Sequence, residues 1–110
     1  MGGFFMLVVL RKMIIKAGHE EKVIDKFNSQ GILEKQEGFI DRSLLVEKSR
    51  KDEIEMVIMV RWESEAAWKQ WEKSDAHIAG HKANLGKPKP DHIVSIEVKK
   101  YHVQATKEKE

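Results

Sequence analysis

Between Ile54 and Trp62 every second residue is large and apolar: Ile54, Met56, Ile58, Val60 and Trp62 share one parity, with Glu55, Val57, Met59 and Arg61 between them. Side chains of an extended chain point alternately to opposite faces, so this period of two prescribes a strand with one face committed to a core. A helix would scatter the same residues around its circumference. One strand cannot bury that face alone, so the rest of the chain has to supply neighbouring strands and a cover.

The flanking segments supply both. Phe4 to Lys16 is apolar on both parities, Met6, Val8 and Leu10 against Leu7, Val9 and Met13, and predicts a strand covered on both sides. After Gly18, the run His19 to Ser29 sets Val23, Ile24 and Phe27 at helical spacing among charges, and Gly31 terminates it. Phe39 to Glu47 reads as a second strand, and Lys48, Ser49, Arg50, Lys51 and Asp52 as the hairpin loop into the alternating one. Ser64 is an N-cap for a helix through Lys73, and Ser74 for a short helix carrying Ala76 to Asn84. Gly86, Pro88 and Pro90 close the helical region, His92 to Val103 makes a last strand, and the charged tail 104–110 is expected to fray.

The order β-α-β-β-α-β is the split arrangement of an α+β, ferredoxin-like sandwich: a four-stranded antiparallel sheet with helices on one face. A single domain over 1–110 suits a chain of 110 residues. Several strands are also apolar on the face away from the helices, which predicts a homodimer through the sheets.

Composition narrows the chemistry. The net charge of +2 comes from interleaved acids and bases, so no nucleic-acid-binding patch is suggested. No apolar run is long enough for a membrane span, and no secretory leader is recognisable, so a cytoplasmic protein is expected. Gly2 does not read as a myristoylation site, because position six is Met6. With no cysteine, histidine and carboxylates are the strong ligands available.

They gather in Trp68 to Lys82, W-K-Q-W-E-K-S-D-A-H-I-A-G-H-K. His77 and His81 are four apart and share a helix face, the spacing of a two-histidine metal clamp. The metalloprotease form needs glutamate directly after the first histidine, and Ile78 stands there, with no third ligand marked out. A single histidine can instead hold a haem iron from one side, and Gly80 beside His81 would let a flat ring approach, which favours His81 over His77. The plainer alternative is a solvent-facing histidine on a packing helix. Trp62 reads as core; Trp68 and Trp71, three apart, read as core or cofactor contacts. His19, His92 and His102 are expected to be surface residues.

In the stretch K-Q-W-E-K-S-D-A-H-I-A-G-H-K, with E-G-F at Glu37 to Phe39 and V-R-W at Val60 to Trp62, the chain resembles the IsdG-type haem-degrading monooxygenases. These belong to the wider antibiotic-biosynthesis-monooxygenase-like family of dimeric ferredoxin-like proteins. The resemblance runs without gaps over most of residues 8 to 85. It implies that His81 is the proximal haem ligand and that Trp71 is the indole pressed on the porphyrin. It further implies that haem is both cofactor and substrate, that molecular oxygen is the co-substrate and that an external electron donor or reductase is a partner. The family's third functional residue is an asparagine, and the same register places Arg11 there. A guanidinium only donates hydrogen bonds and keeps its charge. Support of an activated oxygen, pairing with a propionate, or no catalytic part are all open to it, and on an apolar parity it is expected to need an acidic partner. Alternatives to the enzyme are a haem carrier that has lost turnover and a cofactor-independent monooxygenase of small aromatics.

Overall fold

In the computed structural model, which describes residues 5–29, 31–48 and 51–110, four strands and three α-helices follow in the expected order. These are β1 (Leu7–Lys16), α1 (Glu20–Asn28), β2 (Phe39–Val46), β3 (Glu53–Trp62), α2 (Glu65–Lys73), α3 (Asp75–Asn84) and β4 (Ile93–His102). The sheet order is β2-β3-β1-β4, with every neighbouring pair antiparallel. That is the ferredoxin-like sandwich expected. The start of the first strand at Phe4, the Gly2 reading, and Ser49 and Arg50 of the hairpin loop lie outside the described residues.

The register explains where the core sits. Pairs across β1 and β3 place Ile15 beside Ile54 and Met13 beside Met56, all four buried, and α1 covers them with Val23. At the far end Leu7 pairs with Trp62, and both are buried at 3% and 1% exposure. Trp62 meets Phe39 edge to face at 5.7 Å and is core, as its parity predicts. Between these two ends lie Arg11 opposite Ile58 and Val9 opposite Val60, none of them fully buried. The middle of the sheet therefore forms a floor between two anchored ends.

Three local features differ from expectation. A 3-10 turn, Leu33–Lys35, occupies part of the connection before β2. In β4 the pairing slips between Ile14 and Ile15, so Ile93 rather than Val94 packs against the core, while Val94 is exposed. The second face of β1 is not covered by any of the described residues: Val8, Leu10 and Ile14 stand only half-buried, beside Val57, Met59 and the exposed Leu45 of the neighbouring strands. Both parities are apolar, but the helices of this chain lie on one side.

Candidate functional site

The helices α2 and α3 meet at a single residue. Ser64 opens α2 by accepting from the Ala67 amide at 3.2 Å. Ser74 closes α2, its hydroxyl donating to the Trp71 carbonyl at 2.7 Å, and opens α3 by accepting from the His77 amide at 3.2 Å. Gly38 lets α2 settle on the sheet: at φ +83° its Cα faces Ala67, and an added Cβ would lie 2.3 Å from that methyl. The E-G-F motif thus has a physical cause, since this position demands both a left-handed backbone and no side chain.

Above the floor the helices enclose a cavity of about 650 Å³, in the range of small-molecule sites. Val9, Arg11 and Met13 of β1 and Ile58 and Val60 of β3 form its base. Trp68, Trp71, Glu72, His77 and Asn84 wall one side, and Lys22, Val23, Lys26 and Phe27 of α1 the other. The interior is aromatic and aliphatic, while the charged lining is four cations, Arg11, Lys22, Lys26 and Arg42, against one acid, Glu72. Such a site suits a flat, apolar molecule that carries negative charge.

Trp71 is half-buried and lines this cavity; its ring meets that of His77 edge-on at 5.0 Å. Trp68, also half-buried, carries the Lys100 ammonium over its face at 4.6 Å. His81 is exposed and packs edge-on against His77 at 4.5 Å. It is His77, and not His81, that lines the cavity; His81 lies outside the lining, on the same helical stripe as the lining residues His77 and Asn84. Trp71, His77 and His81 are thus brought together. Arg11, between Ile58 and Val98 in the sheet, is exposed and pairs with no carboxylate among the described residues, which corrects the expectation of an acidic partner. Open solvent over the floor, rather than a counter-ion, keeps this guanidinium hydrated.

Sequence reasoning missed three features. Arg42, on the apolar parity of β2, donates to the Phe27 carbonyl at 2.8 Å, pairs with Glu34 at 3.0 Å and lies over the Phe27 ring, tying α1 to the sheet. A charge on a strand's apolar parity was the signal. His19 and His92, read as surface residues without a special neighbourhood, instead stack at 5.7 Å, with the His19 Nδ1 buried and unpartnered. Burial, then the nearby Lys22 and His19, holds His92 below the ordinary imidazole value. His102 likewise has a partner, its Nε2 lying 2.7 Å from a Glu65 carboxylate oxygen. These juxtapositions join residues far apart in the chain and leave no local pattern.

Comparison with known proteins places this geometry. The antibiotic biosynthesis monooxygenase family matches residues 6–83. The chain is 60% identical over 103 residues to the heme-degrading monooxygenase HmoA of Bacillus subtilis (strain 168), spanning 94% of this chain and 95% of that one. It is 31% identical over 102 residues to a heme-degrading monooxygenase of Shouchella clausii (strain KSM-K16), spanning 93% and 94%. A Bacillus cereus protein crystallised as a candidate antibiotic biosynthesis monooxygenase superposes with a TM-score of 0.83 at 41% identity, over 96% of this chain and 99% of that one. MhuD of Mycobacterium tuberculosis, solved with two hemes in its active site, superposes at 0.66 over 93% and 99%; at 18% identity that likeness speaks for the fold.

Proposed function

The chain belongs to the antibiotic biosynthesis monooxygenase family, and from that membership we propose that it is a haem-degrading monooxygenase. Haem is its substrate. The observation that carries this reading is the cavity itself: an apolar, indole-lined space with cationic lining residues, the His77 imidazole in its wall and the His81 ring packed against His77. Those residues fit haem, whose ring is flat and apolar, whose two carboxylates need counter-charges and whose iron takes a histidine nitrogen.

Bound haem supplies the iron at which molecular oxygen is activated, with electrons from an external donor. His81 holds that iron, its ring nitrogens free of hydrogen bonds among the described residues. Trp71 lies against the ring and sets its shape. Arg11 projects from the middle of the floor as a donor with a permanent charge, and Lys22 and Lys26 meet the carboxylates. Trp68 closes the wall without a direct part. The protein works in the cytoplasm; among the described residues no helix is long and apolar enough to cross a membrane. It acts as a homodimer, with the half-buried Val8, Leu10, Val57 and Met59 meeting their counterparts in a second copy.

The test is to titrate purified protein with hemin, follow the Soret band, and then add ascorbate in air with catalase present. Saturable binding followed by bleaching is expected. His81→Ala is expected to lose the binding, and Trp71→Ala to bind haem but degrade it more slowly. Persistent Soret absorbance would make the protein a carrier, and absence of binding would overturn the haem reading. A monomeric mass by light scattering would remove the dimer.

A further inference from the structure

Resting on His81 as the residue that holds the iron, we propose that His77 is a positioning residue: its imidazole is wedged between Trp71 and His81 and fixes the direction in which His81 presents its ring nitrogens. His77 is the one of the two histidines that is held. Its side chain is 19% exposed, its ring meets Trp71 at 5.0 Å and 69°, and its Nε2 lies 3.3 Å from Glu72. Its backbone amide is fixed by the Ser74 cap. His81 has none of these restraints. Among the described residues its one ring contact is the edge-on approach to His77, at 4.5 Å and 73°.

An exposed imidazole on a helix samples several rotamers, and closing a bond to iron freezes it into one. A ring already held edge-to-face in that rotamer loses less freedom on binding, so affinity rises without any new contact to the ligand. A ligating histidine is ordinarily oriented by a carboxylate or carbonyl on its second nitrogen. Among the described residues His81 has no such partner, and the His77 ring takes over the orienting task by shape. The same wedge sets how far the indole of Trp71 stands from the ligand. For His77 itself to ligate through Nε2, that nitrogen would have to leave the neighbourhood of Glu72 and the ring would have to leave the Trp71 edge.

The experiment uses the full chain with His77→Ala, His77→Phe and His81→Ala, reading hemin affinity from the Soret titration and the iron–histidine stretch of the reduced complex by resonance Raman. His77→Ala is expected to weaken hemin binding about tenfold and to broaden or shift the iron–histidine band. His77→Phe, which keeps a flat ring in the wedge, is expected to restore both, and His81→Ala to abolish the band. If His81→Ala loses the band while His77→Ala matches the parent protein, the positioning role fails and the ligand assignment stands. If His77→Ala abolishes the band and His81→Ala keeps it, the roles are exchanged and the proposal is overturned with its premise. A folded His77→Phe that behaves like His77→Ala would also overturn it, because shape would not be what matters.

Discussion

Replacing Gly38 by alanine tests whether the close seat of α2 on the sheet holds the cavity wall in place. Two costs act together. The backbone there is left-handed at φ +83°, which disfavours a side chain by about 1–2 kcal/mol. The new methyl would also lie 2.3 Å from the Ala67 Cβ, where ordinary contact begins at 3.4 Å, so α2 must move outward by about 1 Å. Forcing an extra methyl into a packed contact costs about 1–3 kcal/mol, giving a loss of about 2–5 kcal/mol against a total stability of about 5–15 kcal/mol for a small domain. With a urea m-value of about 2 kcal/mol/M, the middle of the usual range, the unfolding midpoint should fall by about 1–2.5 M. Tryptophan fluorescence reports the transition, since Trp68 and Trp71 ride on the displaced helix. Gly86→Ala is the control: its φ of +79° carries the same backbone cost, with no atom within 4 Å to collide with. The reasoning is refuted if Gly38→Ala loses no more stability than Gly86→Ala.

Gly80→Ala should do the reverse to the unliganded protein. It lies inside α3 with nothing within 4 Å of an added Cβ, so helix propensity alone predicts a gain of about 1 kcal/mol. Hemin affinity should fall if a flat ring comes close beside His81; an unchanged affinity would remove that approach. Arg11→Ala should leave hemin bound while slowing its degradation on the order of 10²-fold, the usual cost of a lost charge-stabilising donor, and an unchanged single-turnover rate would take Arg11 out of the chemistry. His92 gives a pH dependence. Its folded value is depressed below 6.5, so on acidification the unfolded chain takes up this proton first, and stability declines from about pH 6.5 down to the folded value before levelling. His92→Gln should flatten that segment of the urea-midpoint profile; an identical slope in the variant would assign it to another group.

Much of the fold could be read from residue pattern, because burial at a period of two is a local property. Ile54, Met56 and Trp62 are buried as the alternation of β3 requires. Ile58 and Val60 share that parity yet stay half-exposed, because alternation says which face a residue takes and nothing about whether a helix lies above it. For β1 the same gap leaves open what covers the second face: its apolar residues on both parities say that both sides want cover, and within the described residues the helices supply it on one. Within the site, Trp71, His77 and His81 were legible because one short segment carries them. Arg11 was placed on the right face, but that it would stand exposed there, lining the cavity, is set by what packs above the sheet and leaves no trace in the local sequence. The His19–His92 stack joins the start of α1 to the end of the α3–β4 connection, a contact that only the closed sheet creates. Gly38 served in the sequence as a mark of resemblance, and its reason, the methyl of Ala67, lies on another element.

The shared cap at Ser74 has a consequence for how this segment can change. With no spacer between α2 and α3, the number of residues from Trp71 to His81 is also an angular setting. One residue inserted into the first turn of α3 would rotate everything beyond it by about 100° and advance it about 1.5 Å, swinging the histidine stripe off the cavity while the indole stayed behind. Side chains along the segment can be exchanged singly with graded effects. Its length behaves as an all-or-nothing variable, and a library built to vary this protein should randomise identities between 71 and 81 but never the count.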